Sequence, residues 1–235
     1  MFNIMLAGIS VGIDNRYAYV ENISRDFLTD DAPRFSVKAT DSELEDELAL
    51  DTGASVELCE SIVLYRKIAE KLPDFDALVF HSAIIVKDGK AYAITARSGV
   101  GKTTHLRLWL EAFGDDVYIL NGDKPTVRKI DGKIYVAGTP WRGKEGFGRA
   151  GTVPLAGIGF LKRAKENFAE RISAEEALDD FLGQIYIPKN IGALKTLSLA
   201  DEMLGKIPLI RLHVNMDISA PKVALEAFLN CSKNN

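Results

Sequence analysis

The segment Ala96-Arg97-Ser98-Gly99-Val100-Gly101-Lys102-Thr103 gathers residue types suited to holding a phosphate chain. Glycines let consecutive backbone N–H groups turn toward an anion. Lysine supplies a compact positive charge, and a threonine hydroxyl is an oxygen ligand for magnesium. The spacing follows the phosphate-loop pattern G-x-x-x-x-G-K-[ST], with Ala96 replacing the first glycine. A strand-like run precedes it and a helical run follows. The helix would therefore aim its unpaired N–H groups and positive dipole end at the same anion. The expected ligands are ATP and Mg2+. Arg97, Ser98, Gly99, Val100, Gly101, Lys102, Thr103 and Thr104 would form the nucleotide-binding set. Lys102 would reach the β- and γ-phosphates and Thr103 the metal, while Arg97 either holds a phosphate oxygen or is solvated. The plain alternative is a glycine-rich turn that only joins strand to helix.

A magnesium nucleotide site also needs a carboxylate, and Asp123 is the candidate. It follows Lys102 by 21 residues. A helix of about eleven residues advances roughly 16 Å, and a five-residue strand returns about 17 Å. Asp123 thus comes back to the edge of the sheet that carries the loop. Asp115 and Asp116 precede that strand and fall at its opposite end. His81, in an apolar run leading toward the loop, is a further candidate, although a lone histidine in an apolar strand is more often a satisfied core group than a catalyst. His105 reads as packing or surface, and His213 has no evident partner. The glycine-rich stretch Gly138 to Arg149 carries three cations and two aromatics. Arg142 and Lys144 could neutralise charge in a transition state, and Trp141 could stack or exclude water.

Elements must bring these residues together. Asn3 to Ile13 reads as one strand and Arg34 to Ala39 as another, and the acidic stretch Asp41 to Leu48 as a solvated helix. Apolar residues at Val56, Cys59, Val63, Leu64, Ile68 and Leu72 have helical spacing, closed by Pro73. Ala77 to Val86 reads as a strand, Lys87 to Lys90 as a hairpin turn and Ala91 to Thr95 as a second strand. The loop follows, then a helix from Lys102 to Phe113 stopped by Gly114, then a strand from Val117 to Leu120. Asp131-Gly132 marks a hairpin between Thr126–Ile130 and Ile134–Ala137. Leu155 to Leu161 is a further strand. Ser173-Ala174-Glu175-Glu176 has capping-box form and opens a helix to about Tyr186. Ala200 to Leu204 reads as helix, Leu209 to Val214 as strand and Ala220 to Leu229 as a closing helix.

The 235 residues carry a net charge of −4, which gives no reason to expect nucleic acid as a partner. Charged residues interrupt every apolar stretch before membrane-spanning length, and the start lacks signal-peptide form, so a cytoplasmic protein is expected. Cys59 and Cys231 form no Cys-x-x-Cys motif and read as reduced thiols.

His81-Ser82-Ala83-Ile84-Ile85-Val86, Ser98 to Thr103, and Gly122-Asp123, in that order, resemble the HPr kinase/phosphorylase catalytic domain. More distantly they resemble ATP-dependent phosphoenolpyruvate carboxykinase. The resemblance covers roughly Leu78 to Leu161. It implies an α/β fold: a phosphate-loop mixed β-sheet core with flanking helices over 76–235. The N-terminal α+β unit, 1–75, is then either separate or integral to that core. It also implies Lys102 and Thr103 on phosphates and metal, Asp123 as metal ligand or base, and His81 as its partner. Two departures stand out: Asp123-Lys124 occupies the place of two adjacent aspartates, and the family's later signature for docking HPr is absent. The expected activity is ATP-dependent transfer of the γ-phosphate to a hydroxyl, on a peptide or protein serine or on a small molecule. A non-catalytic nucleotide sensor is the rival, and carboxykinase-type chemistry a third reading. Oligomeric state stays open, a homo-oligomer included.

Overall fold

The structure is a computed structural model and describes residues 1–50 and 52–233. It is a mixed α/β protein with two sheets. The N-terminal part contains β1 (Phe2–Leu6), β2 (Ile9–Asp14), α1 (Ala18–Ile23), β3 (Phe35–Lys38), α2 (Asp41–Leu50) and α3 (Val56–Lys71). Asn3 to Ile13 is therefore a hairpin and not one strand. Ala7 adopts a left-handed conformation (φ 50°) and Gly8 follows it (φ 77°), which reverses the chain inside an otherwise apolar run. Ile4, Leu6, Val11 and Ile13 share an apolar cluster with Val63, Leu64 and Ile68 of α3. Ser55 caps α3 by accepting from Leu58 N, and the buried carboxylate of Glu60 accepts from Arg16 N and Tyr17 N.

The larger sheet begins with β4 (Ala77–Val79), β5 (Ala83–Lys87) and β6 (Lys90–Thr95). The run Ala77 to Val86 is thus split. β4 pairs with β8 (Thr126–Ile130), whereas β5 lies between β6 and β7 (Val117–Asn121). The three residues between β4 and β5 carry the chain from one strand neighbourhood to the other. Helix α4 (Lys102–Phe113) precedes β7, and β9 (Lys133–Ala137) completes the Asp131-Gly132 hairpin with β8. The long β10 (Thr152–Arg163) is the branch point. Its first residues pair antiparallel with β9. Its remainder runs parallel to β6 on one side and to β12 (Leu209–Val214) on the other. The strand β11 (Phe168–Arg171), for which the sequence gives no expectation, pairs with β12. The remaining helices are α5 (Ala174–Leu182), α6 (Gly192–Lys206) and α7 (Ala220–Lys233). The first ends before Tyr186, and α6 begins well before Ala200.

Both faces of the central strands are covered, so these strands read as near-continuous apolar runs. Ala83, Ile85, Tyr92 and Ile94 join α4 and α7 residues in one cluster with Trp109 and Phe228. The alternating Ile84, Val86, Ala91 and Ala93 join α5 and α6 residues in another, with Phe181 and Met203. The N-terminal cluster also takes in Ala77 and Val79 of β4. No helix among the described residues is long and apolar enough to cross a membrane.

Gly138, just past β9, leaves no room for a side chain. A Cβ there would lie 2.0 Å from the Arg149 carbonyl oxygen and 2.8 Å from that of Leu120. Gly138→Ala is therefore expected to destabilise the fold by about 1–3 kcal/mol, the usual cost of overpacking, read as a lower midpoint in urea.

Candidate active site

Strand directions explain why distant residues meet. β5 is antiparallel to both β6 and β7. The C-terminal ends of β6 and β7 and the N-terminal end of β5 therefore share one edge. The glycine loop leaves β6 there, His81 sits just before β5, and Asp123 lies two residues beyond β7. His81 Nε2 is 3.1 Å from Asp123 Oδ1, with the two side chains 35% and 28% exposed, so both remain reachable from solvent. Backbone bonds fix the pair: Ser82 N donates to Asp123 O at 3.0 Å and His81 N to Gln184 O at 2.7 Å. Thr95 Oγ1 donates to His81 O at 2.9 Å.

The glycine loop needs its glycines at two places. Gly99 (φ 79°) and Gly101 (φ 124°) take backbone angles that L-residues rarely adopt. Ala96 is not among the positive-φ residues, so alanine stands at the first position without strain. Arg163, at the end of β10, donates from Nε to Val100 O at 3.0 Å and from Nη2 to Gly99 O. These bonds anchor two loop carbonyls on the β10 side. Lys102 Nζ donates to Ala96 O at 2.9 Å. Burial pulls the Lys102 ammonium below its ordinary value, and the charge of Asp123 opposes that.

Asn121 organises the acidic turn. It is fully buried, its Oδ1 accepts from Asp123 N (2.9 Å) and Lys124 N (2.8 Å), and its Nδ2 donates to Thr139 O and Oγ1. Asn121→Ala leaves several buried partners unpaired. It is expected to cost about 1–3 kcal/mol by thermal or urea unfolding. Burial raises the Asp123 carboxyl, but the hydrogen bond from His81 and the charges of Lys124 and Lys102 outweigh it. The group is held below its ordinary value.

The stretch Gly138 to Arg149 returns against the end of β7. Gly122 N donates to Phe147 O and Arg149 N to Leu120 O, and Asn121 forms a bridge with Gly148. A cleft of about 520 Å³ results. Its lining includes His81, Arg97, Ser98, Gly99, Gly101, Lys102, Thr103, Asp123, Arg142 and Lys144. Val100 and Thr104 line a neighbouring cavity instead. Lys144 makes no ion pair among the described residues, whereas Arg142 is engaged: its Nη2 is 2.6 Å from Asp26 Oδ2 and its guanidinium lies over Phe27. Trp141 is packed and not a free lid. Its indole donates to Ser61 Oγ at 3.0 Å and its ring lies 4.7 Å from that of Tyr65.

Among the described residues no group of three or more His, Cys, Asp or Glu could hold a metal. Magnesium commonly takes one or two carboxylates plus phosphate oxygens and waters. The single carboxylate of Asp123 and the hydroxyl of Thr103, both lining the cleft, fit that demand.

The rival acids lie elsewhere: Asp116 is 3.7 Å from Lys87. His213 does have a partner, 3.0 Å from Glu170, and stacks on Phe168. Sequence reading missed Asn121, Arg163, Gln184, Ser61, Tyr65 and Asp26. Only Asn121 carried a local signal, as an Asn-Gly turn former ahead of an aspartate. The others act through contacts remote in sequence. Tyr65 is buried and its hydroxyl has no hydrogen-bond partner among the described residues. Burial and the charge of Asp123 both push its pKa up, so it stays protonated.

No protein-family model matches the chain. No curated protein matches it either. Among solved structures it is similar to the Hpr(Ser) kinase/phosphatase from Coxiella burnetii, at 10% identity and a TM-score of 0.40. The match covers 66% of this chain and 91% of that one.

Proposed function

We propose that this chain is an ATP-dependent phosphotransferase that moves the γ-phosphate to a hydroxyl. The observation that carries the reading is convergence. A glycine loop at a helix start, the Lys102 ammonium, and a His81–Asp123 pair reach one sheet edge and line one cleft. In this reading the loop amides and Lys102 bind the phosphates. Thr103 and Asp123 would hold magnesium, which would supply neutralisation of the phosphate charge. Lys144 lines the same cleft, makes no ion pair among the described residues, and in this reading adds to that neutralisation. The acceptor oxygen forms a bond to the γ-phosphorus as the bond to the β-bridging oxygen breaks, releasing ADP. The acceptor proton passes to Asp123 Oδ, while His81 Nε2–H holds the carboxylate in place.

Asp123 is a weak base because its pKa is lowered. A loose transition state, in which proton transfer comes late, does not demand a strong one. The test follows 31P spectra of ATP-Mg with panels of serine peptides and small hydroxyl compounds. ADP appearing with a new phosphate ester supports the reading. Tight ATP binding without transfer to any acceptor would favour a nucleotide sensor instead. The observation on that side is the tie from Arg142 and Trp141 to the N-terminal part, which could report loop state.

A further inference from the structure

A cavity of about 650 Å³ borders the first half of the glycine loop. That size falls within the range of small-molecule pockets. Arg97, Ser98 and Gly99 line both this cavity and the cleft, so the two spaces meet there. Lys102 and Thr103, at the start of α4, line the cleft alone.

Strand periodicity tells toward which face of the sheet the cavity extends. Thr95 lies two residues beyond Ala93 in β6, and Lys162 two beyond Phe160 in β10. Alternate residues of a strand share a face. Ala93 and Phe160 belong to the cluster built with α5 and α6, whereas α4 packs on the opposite face with Tyr92 and Ile94. Asp180 of α5 and Gln184 just after that helix complete the wall.

Two contacts tie this cavity to the reacting end of a bound nucleotide. Lys102 Nζ donates to Ala96 O, and Ala96 is a wall residue. The lysine expected on the β- and γ-phosphates thus holds its ammonium beside the cavity. The wall also fixes the His81 backbone: Thr95 Oγ1 donates to His81 O at 2.9 Å, and Gln184 O accepts from His81 N at 2.7 Å. The charge of the lining is biased. Arg97 and Lys162 are exposed and make no ion pair among the described residues, and Arg163 is committed to the loop carbonyls. Asp180 is the one carboxylate among the described lining residues.

We infer that this cavity seats the phosphate acceptor, and that the acceptor is a small hydroxyl compound bearing an anionic group, a carboxylate or a phosphate. The inference rests on the phosphotransferase reading. Arg97 and Lys162 would hold the anionic group, and Phe160 and Leu161 would flank the carbon body. The hydroxyl would face the γ-phosphate where cavity and cleft join. Its oxygen bonds the γ-phosphorus as the bond to the β-bridging oxygen breaks, ADP leaves, and the proton goes to Asp123. A concave space of this size suits a small molecule, whereas a protein acceptor would need a broader surface.

The test supplies the full chain with magnesium and ATP labelled at the γ-phosphate. The small-molecule fraction of a cell extract and its peptide and protein fraction are offered separately as acceptors. Label is expected in a small product whose mass identifies a carboxylate or phosphate on the acceptor. With that purified acceptor, Lys162→Glu should raise KM about tenfold, the worth of one charge-assisted hydrogen bond, with kcat nearly kept. Lys162→Arg should restore KM. ATP affinity should be unaltered in both variants, which also reports an intact fold. Label confined to peptides or proteins, label in uncharged acceptors, or an unmoved KM in Lys162→Glu would overturn the inference and leave the phosphotransferase reading standing. ATP binding without label in either fraction would overturn both.

Discussion

Replacing Lys102 with methionine is expected to weaken ATP binding by about ten- to a hundredfold, with the fold retained. Hydrogen bonds to charged groups contribute about 1.5–3 kcal/mol, and each 1.4 kcal/mol is a factor of about ten. Methionine keeps the length of the side chain and most of its apolar contact, so the loss isolates the ammonium. That ammonium already sits against the loop, on the Ala96 carbonyl, and borders the same cleft as Asp123. Calorimetric titration reads the change directly, and unaltered affinity would remove the phosphate role from Lys102. A secondary effect has a definite sign. Lys102 helps hold the Asp123 carboxyl below its ordinary value. Without Lys102 that pKa rises, so any acid limb in residual activity should move to higher pH.

Asp123→Asn is expected to cut phosphoryl transfer by about two to four orders of magnitude, the usual contribution of a positioned general base. Asparagine can still accept from His81, so the pair's geometry is kept while the proton acceptor and the negative charge that would hold magnesium are lost. Two readouts separate those losses. If the carboxylate mainly holds magnesium, affinity for ATP-Mg falls along with turnover. If it mainly accepts the proton, affinity holds and turnover alone collapses. Full activity in the variant would place the base elsewhere. In the unaltered protein the lowered pKa keeps Asp123 ionised to lower pH than an ordinary aspartate. Its protonation should therefore limit activity only in acid, leaving the neutral region flat with respect to this group.

The local grammar of the chain made much of this arrangement legible. The helix from Lys102 to Phe113, the strand ending near Asn121 and the Asp131-Gly132 hairpin follow from short-range patterns, and the structure has all three. Matched lengths of helix and strand were enough to bring Asp123 to the loop's edge. The failures have physical causes. The Ala7-Gly8 reversal is silent because alanine rarely takes positive φ. The break between β4 and β5 is invisible because Phe80-His81-Ser82 carries no glycine or proline between two apolar runs, which pair with different strands. Arg142 reads as a free cation, yet an aspartate 116 residues away engages it. Trp141 reads as a lid, yet Tyr65 and Ser61 of α3 hold it. Such partners are properties of the assembled chain and leave no mark on the neighbouring sequence.

The bonds from Arg142 to Asp26 and from Trp141 to Ser61 have a practical consequence. Trimming the chain to its motif-bearing portion is expected to weaken the fold around the cleft. It would strip the outer brace from the glycine-rich return, leave the half-buried Arg142 guanidinium without Asp26 and lay bare the apolar side of β4 around Ala77 and Val79. The first 75 residues, though they carry no recognisable signature, thus serve as a built-in splint. Tolerance to truncation should be judged from that mechanical dependence and not from where the motifs begin.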